Sequence, residues 1–207
     1  MHAFPELYVL RHGETEWNRE GRWQGAQDSP LTARGRAQAE AMGMALASLG
    51  VGPDTHDLRH SLQGRARDTA LAVSRATGLG MIADDRLREI GVGAWSGLLR
   101  SEIARDWPAP DPHEHFLETY ARAPGGEPFD ALWARAVTLL GALSRPTVLV
   151  THGITSRFIR TAALGLGMDR LDEVPGGQGV IFRLAEGGQE MLDPAGLAPL
   201  AKGASSG

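Results

Sequence analysis

Cysteine is absent from the 207-residue chain, which excludes disulfide bonds, thiolate catalysis and cysteine metal sites together. No apolar run approaches the roughly 20 residues that a membrane-spanning helix needs. The first residues carry neither the basic region nor the long apolar core that is typical of a signal peptide. These absences predict a cytoplasmic protein that has no membrane partner.

Lysine is almost absent as well, because Lys202 is the one lysine among 21 cationic residues and all the others are arginine. The chain is also rich in Ala and Gly, so genomic base composition explains much of this bias. Nearly every cation is nevertheless a planar guanidinium, which suits two-point contact with oxyanions. The formal net charge of −4 argues against a general nucleic-acid binder.

Short apolar segments alternate with helical patterns along the chain, which predicts an α/β domain with a mainly parallel sheet covered on both faces. We expect a three-layer α/β/α sandwich in a single domain at residues 1–194, with a small helical cap at 98–124 and a mobile tail at 195–207. The predicted strands are 7–10, 57–61, 81–83, 147–150, 180–184 and 189–192. The predicted helices are 31–49, 65–76, 98–107, 113–122, 129–143 and 153–165.

Two segments share one form, an apolar strand followed by a His-Gly pair. These pairs are His12-Gly13 and His152-Gly153. Ligands bind beyond the carboxyl ends of parallel strands, so neighbouring strands would bring both imidazoles to one pocket. A lone histidine of this kind is more often a core residue bonded to backbone, but two such pairs favour a ligand site. A helix starting near Gly153 would direct N–H groups toward the same pocket.

Two arginines stand near these strand ends. Arg11 adjoins the first His-Gly pair, and Arg65 opens a helix directly after a predicted strand. Together they could hold a phosphoryl group through charge-assisted hydrogen bonds. Arg67 lies two residues further along that helix, and we interpret it as a solvated surface residue.

The segment Arg11-His12-Gly13-Glu14-Thr15 resembles the motif that defines the histidine phosphatase superfamily, whose fold is phosphoglycerate mutase-like. Further blocks in the order of that family stand at residues 18, 21–25, 28–32, 61–70, 87–97, 125–127 and 152–153. Leu62, Gln63 and Asp68 depart from the family pattern, so the resemblance leaves the pocket wall near residues 57–63 open.

The resemblance implies a mechanism. His12 would attack phosphorus and form a phosphohistidine, and Glu89 would protonate the leaving oxygen and then activate water. His152 completes the catalytic set. The remaining implied contacts to the substrate are Arg11, Asn18, Gln24, Gly25, Arg65 and Gly153. The scheme needs no metal or other cofactor, and His113-Glu114-His115 has no third-ligand pattern beside it.

We therefore expect a metal-independent phosphomonoesterase that acts on a small phosphorylated metabolite, as a monomer or homodimer. A cofactor-dependent phosphoglycerate mutase is the first alternative, and a non-catalytic relative that binds phospho-ligands or a protein is the second. The segment between Trp95 and Gly125 is short for a mutase. Its acidic residues would also repel a second anionic end of a substrate, and they are Glu102, Asp106, Asp111, Glu114 and Glu118.

Overall fold

The computed structural model describes residues 4–111 and 113–197. Within that part of the chain, six strands form one sheet in the order β3-β2-β4-β1-β5-β6. The first four of these are mutually parallel, while β5 runs antiparallel to β1 and β6 antiparallel to β5. The strands are β1 Leu7–Arg11, β2 Asp57–His60, β3 Met81–Ala83, β4 Thr147–Thr151, β5 Ile181–Ala185 and β6 Gly188–Leu192.

Helices cover both faces of the sheet, as the alternation of elements predicts. They are α1 Glu16–Glu20, α2 Ala33–Ser48, α3 Gly64–Thr77, α4 Arg100–Asp106, α5 Phe116–Ala121, α6 Phe129–Gly141, α7 Gly153–Ala163 and α8 Pro194–Leu197. Successive side chains of β1 point to opposite faces. Leu7 and Val9 therefore pack in the cluster that contains Phe158 of α7, and Tyr8 and Leu10 in the cluster that contains Met42 of α2. The three-layer α/β fold is confirmed.

The register of the two central strands positions the site. In the β1–β4 ladder Arg11 stands opposite Thr151, so the residues that follow each strand emerge side by side at one sheet edge. His12 and His152 are those residues. The prediction that neighbouring strands bring the two imidazoles together is therefore confirmed.

The polar strand β2 is explained by its neighbours. Its inward-facing Leu58 and His60 are buried, while Arg59 pairs with Asp84 at 3.2 Å and Asp57 with Arg145 at 3.1 Å. These ion pairs give opposite charges to the charged side chains of a strand that lies between β3 and β4, although the buried Nε of Arg59 has no hydrogen-bond partner among the described residues. The low apolar content of β2 therefore does not prevent a buried position in the sheet.

The structure differs from the predicted elements mainly in the loops. Residues 13–30 contain the short helix α1, which Thr15 caps while the Asn18 side chain caps it in return. The two cap helices are shorter than predicted, and prolines 108 and 110 separate them. The first residues of the predicted tail belong to α8, and residues 198–207 lie outside the described part. No helix among the described residues is long and apolar enough to cross a membrane.

Candidate active site

His12 is held in one tautomer at the end of β1. Its Nδ1 lies 2.7 Å from the carbonyl oxygen of Gly13, and its Nε2 lies 3.2 Å from Nε of Arg65. Because Arg65 can only donate, Nε2 carries the lone pair and Nδ1–H donates to the carbonyl. Burial holds the pKa of His12 well below its ordinary value, and the positive charges of Arg11 and Arg65 lower it further. The ring is therefore a neutral, oriented base.

Arg65 is fixed by hydrogen bonds around its buried guanidinium. Nη1 donates to the carbonyl of Gln27 at 2.6 Å and to Oδ1 of Asp28 at 3.0 Å, and Nη2 donates to the carbonyl of Gly25 at 3.0 Å. Gly25 has a φ of +51°, and a Cβ there would lie 2.6 Å from a methyl of Val92. The predicted contact residue Gly25 thus holds Arg65 through its carbonyl.

Arg11 is free by contrast. Its buried Nε has no hydrogen-bond partner in the part of the chain that the structure describes. The guanidinium lies over Gly153, where an added Cβ would be 3.6 Å from the Arg11 Cζ. Desolvation by burial lowers the pKa of Arg11, and the nearby Glu89 opposes that shift. An unsatisfied guanidinium at this position can bind an incoming anion without first breaking a contact at Nε.

His152 faces His12 edge-on, with the ring centroids 5.2 Å apart. Its Nε2 lies 2.9 Å from the hydroxyl of Ser61, and its buried Nδ1 has no partner among the described residues. Burial holds the pKa of His152 well below the ordinary value, and Arg65, His12 and Arg11 add to the effect. Both imidazoles are therefore neutral in the free protein.

Glu89 is bound to the first turn of α7. One carboxylate oxygen accepts from the N–H of Thr155 and of Ile90, both at 3.0 Å, and the other accepts from the N–H of Ile154 at 3.2 Å. We expected these N–H groups of α7 to face the ligand, but Glu89 takes them. Its own N–H donates to Oε1 of Gln63 at 2.8 Å. The carboxyl group also lines the cavity described below.

Asn18 and Gln24 differ in their surroundings. Oδ1 of Asn18 accepts from the N–H of Thr15 at 3.2 Å and from Nε2 of Gln178 at 3.1 Å. The Gln178 amide also lies 3.2 Å from the carbonyl of His12, which links Asn18 to the strand end. Gln24 is buried, and its Oε1 has no partner within the described residues.

A cavity of about 490 Å³ opens beside this group of residues, although His12, Arg65 and His152 are not among the residues that line it. Arg11, Glu89 and Gly153 line its inner end, which we call the sheet end. The opposite wall, which we call the cap end, is built by α4, α5 and the second half of α7. It includes Ile103, Phe116, Tyr120, Arg157 and Arg160. Trp23 stacks on Tyr120 with their ring centroids 4.1 Å apart, and burial raises the pKa of Tyr120 to about 12.

The charge of this wall contradicts our expectation of an acidic cap. Five arginines and two glutamates line the cavity. Of the five cap acids, Glu114 is the one on the wall, and it is paired with Arg122 at 2.6 Å. The cavity therefore favours anions along its length, because most of the cap acids are absent from its lining.

The alternative metal reading at residues 113–115 finds no support in the side-chain arrangement. His115 caps α5 by accepting from the N–H of Leu117 at 3.4 Å. Among the described residues, no three His, Cys, Asp or Glu side chains are grouped so that they could hold a metal ion.

Sequence reasoning missed several residues that position the site. Ser61, Gln63, Thr155 and Gln178 act through hydrogen bonds to His152, Glu89 and the end of β1. The block at residues 125–127 has a related role, because Glu127 pairs with Arg135 at 2.8 Å and accepts from the N–H of Gly91. That pairing fixes the segment that carries Glu89. For Gln63, the sequence carries one signal of this role, which is its departure from the family pattern.

The fold and the paired imidazoles define a histidine-type phosphatase, and the match to the histidine phosphatase superfamily (branch 1) spans residues 7–192. The chain belongs to this superfamily.

Individual relatives carry two kinds of name. A Klebsiella pneumoniae protein named probable phosphoglycerate mutase is 37% identical over an alignment of 176 positions, and the match covers 78% of this chain and 75% of the relative. The structure of a mycobacterial glucosyl-3-phosphoglycerate phosphatase with VO3 is 31% identical, with a TM-score of 0.74, and the match covers 87% of this chain and 91% of the other. A Bacillus stearothermophilus protein, YhfR, is 31% identical with a TM-score of 0.71, covering 90% and 94%.

Proposed function

We propose that the protein is a metal-independent phosphomonoesterase that hydrolyses a small phosphorylated metabolite in the cytoplasm through a phosphohistidine at His12. The observation that carries this proposal is the neutral imidazole whose Nε2 lone pair lies beside two arginines. A neutral nucleophile next to fixed positive charge is what attack on a phosphate monoester requires, because the developing charge lies on the non-bridging oxygens.

In the first step, Nε2 of His12 forms a bond to phosphorus and the bond from phosphorus to the leaving oxygen breaks. The proton stays on Nδ1, which keeps its hydrogen bond to the carbonyl of Gly13, so the imidazole keeps its orientation. Arg11, Arg65 and His152 bind the non-bridging oxygens. The proton that the leaving alkoxide needs comes from the carboxyl group of Glu89.

In the second step, water attacks phosphorus and Glu89 takes up a proton from it. The bond between phosphorus and Nε2 breaks, and inorganic phosphate leaves. His12 returns to its neutral state and Glu89 is again protonated. The bound phosphoryl group would favour a proton on His152, because its negative charge offsets the repulsion from Arg11 and Arg65.

The geometry supports direct substrate contact for some of the expected residues and a positioning role for others. Arg11 has an unsatisfied Nε and Arg65 lies against the nucleophile, so both suit direct contact with phosphate. Gly153 lies beneath the Arg11 guanidinium at ordinary contact distance, which supports a place for it beside the bound phosphate. We propose positioning roles for Gly25 and Asn18, through Arg65 and Gln178 respectively. We further propose that residues 98–124 act as a cap that selects the alcohol part of the substrate.

A labelling experiment tests the covalent step. Protein mixed with p-nitrophenyl phosphate labelled at phosphorus is quenched either in acid or in base. We expect label on the base-quenched protein and little on the acid-quenched protein, because a phosphoramidate is labile to acid. The His12→Ala protein should carry none. Label that persists in His12→Ala, or label that survives acid, would contradict the assignment.

A phosphoglycerate mutase is the second candidate, because curated relatives carry that name. It is distinguished by the fate of the phosphoryl group. Pure protein is given 3-phosphoglycerate with and without the bisphosphorylated cofactor, and isomerisation is followed beside phosphate release. We expect net phosphate release and no dependence on the cofactor. Isomerisation faster than phosphate release would establish the mutase instead.

A further inference from the structure

Two arginines beyond the catalytic group stand on the cavity wall. α7 begins at Gly153 beneath Arg11, and Arg157 and Arg160 follow at positions that lie on one face of a helix. All three residues line the cavity. The helical rise puts Arg157 about 6 Å and Arg160 about 10 Å beyond Gly153 along the helix axis. The cavity thus carries cations at both ends.

Arg160 is almost wholly buried, with 1% of its surface exposed. Its guanidinium donates to the hydroxyl of Ser156 at 3.1 Å, to Oε1 of Gln189 at 2.8 Å and to the carbonyl of Pro175 at 2.7 Å. All three acceptors are neutral. The group also lies 3.7 Å from the ring centroid of Phe182. A guanidinium has five N–H donors, so two remain for another partner.

Arg157 lies one turn nearer the catalytic group. Its Nη1 donates to the carbonyl of Leu171 at 3.1 Å, and Phe116 of the cap covers it with the ring centroid 5.0 Å from Cζ. Gly176 approaches the other terminal nitrogen, where an added Cβ would lie 3.2 Å away. The backbone at Gly176 therefore carries no side chain that could cover this nitrogen.

These contacts leave two positive charges together in a buried wall. Desolvation by burial, together with the positive charge of Arg157, lowers the pKa of Arg160 to about 9. Buried charges of one sign are costly unless an opposite charge offsets them. The hydrogen bonds that both guanidiniums donate within the described residues go to neutral oxygens. The carboxylate of Asp172 offsets part of the Arg157 charge, whereas no acid pairs with Arg160 among the described residues. An anion that enters the cavity can supply that missing opposite charge.

We propose that Arg157 and Arg160 form a second anion subsite, which binds a carboxylate or a second phosphate group of the substrate one to two turns along α7 from the transferred phosphoryl group. The substrate class is then a phosphomonoester with a second oxyanion at its far end. The orientation of that substrate rests on the proposed function, but the subsite is a separate binding surface. A ligand that reaches it lies along α7 and under Phe116.

The test uses matched pairs of alkyl phosphates of increasing chain length. Within each pair the far end carries either a carboxylate or a hydroxymethyl group, and a third series carries a second phosphate. We expect kcat/KM to favour an anionic end by about tenfold to a hundredfold at the best length, because each charge-assisted hydrogen bond is worth one to two factors of ten. The carboxylate and bisphosphate series then distinguish the two sources of charge.

Charge-removing variants assign the preference to these residues. Arg157→Gln and Arg160→Gln should reduce the ratio between paired substrates to near one, while Arg160→Lys should keep part of it. Arg67→Gln is the matched control, because Arg67 is exposed on α3 and paired with Asp68 outside the cavity. A variant that only folds poorly lowers both kcat/KM values and leaves their ratio unchanged. Equal kcat/KM within every pair, or a ratio that survives both Gln variants, would overturn the proposal.

A binding measurement separates this proposal from the proposed function. The His12→Asn protein is titrated by calorimetry with the same pairs of compounds. We expect the anionic member to bind about tenfold or more tightly than its partner, whether or not the wild-type protein hydrolyses either compound. Absence of hydrolysis with this preference intact would refute the phosphatase and keep the subsite. Hydrolysis with equal binding would refute the subsite and keep the phosphatase.

Discussion

The two ends of the cavity are built in different ways. Around the sheet end, Glu89, Arg65 and His12 are each fixed by hydrogen bonds to backbone groups or to loop and helix residues. At the cap end, aromatic contacts such as Trp23 on Tyr120 and the ion pair between Glu114 and Arg122 hold two short helices. The difference separates chemistry, which needs fixed atoms, from selection, which needs an adaptable wall.

One of the two largest predicted effects distinguishes Arg11, which lines the sheet end, from Arg65, which lies against His12. Arg65→Met and Arg11→Met should each lower kcat/KM by about 10²–10³-fold, because each removes positive charge from the non-bridging oxygens. Arg65→Met should also lower the free energy of unfolding by about 1–3 kcal/mol, since the carbonyls of Gly25 and Gln27 lose a donor. Arg11→Met should leave stability unchanged. Urea denaturation beside steady-state kinetics checks both, and equal losses of stability would contradict the contrast.

Glu89 should show a dependence on the leaving group. Glu89→Gln should reduce turnover of an alkyl phosphate by about 10²–10⁴-fold, because the alkoxide then lacks its proton donor. p-Nitrophenyl phosphate has a good leaving group, so the fall in its turnover should be far smaller. Measuring kcat for both substrates on one preparation removes any effect of folding. Equal losses on the two would show that Glu89 is not the acid.

The buried histidines predict that stability falls in acid. The unfolded chain protonates His152 near its ordinary pKa of 6.5, whereas the folded protein keeps it neutral. The unfolded state therefore binds more protons below that pH, and the free energy of unfolding falls as pH falls. Between about pH 7.5 and about pH 5.5, the wild type should lose about 1.4 kcal/mol more than His152→Gln. Urea titrations at both pH values measure this difference, and parallel losses would refute a neutral His152.

Substitution of Gln63, which lies beside Glu89, should have a smaller effect. Its side chain bridges the N–H of Glu89 and the carbonyl of Gly25, at 2.8 Å each. Gln63→Leu removes the acceptor of the Glu89 N–H, which should lower the free energy of unfolding by about 1 kcal/mol. We expect a lower kcat for alkyl phosphates and almost no change for p-nitrophenyl phosphate. An increase in KM with an unchanged kcat would show that Gln63 acts on binding.

The smallest effect belongs to the cap end. Arg122→Gln removes the partner of Glu114 and should lower stability by about 1 kcal/mol or less, since the Arg122 side chain is 25% exposed. It should also raise KM for anionic substrates a few-fold, because Glu114 then presents an unpaired charge to the cavity. The value of kcat should not change. A large fall in kcat would mean that the cap takes part in the chemistry.

The sequence was most informative where structure is local. Apolar strands that end in His-Gly predict the paired imidazoles of β1 and β4, and Thr32 is the N-cap of α2 as its residue type indicates. The motif blocks also name Glu89 and Arg65. The place of each His-Gly pair at a strand end and the short motif spacings are carried by the sequence directly. That β1 and β4 are neighbours is what the structure adds.

The cap end could not be read in the same way. Its helices have seven and six residues, too few for a clear helical period. The charge of the wall depends on which acids face the cavity and which of these are paired, as Glu114 is with Arg122. Arg157 and Arg160 lie in a helix where nearly every residue is buried, so spacing alone does not separate cavity-facing residues from core. That distinction requires the tertiary arrangement.

The stack of Trp23 on Tyr120 has an optical consequence. Trp95 lies edge-on to Trp23 with ring centroids 5.5 Å apart and close to Trp107 at 5.9 Å, so three indoles report on one wall of the cavity. Their emission depends on the packing and hydration of that wall. A compound that enters between the cap and α7 should change the intrinsic fluorescence of the enzyme. Ligand affinity can then be titrated on the unlabelled protein, including for compounds that are never turned over.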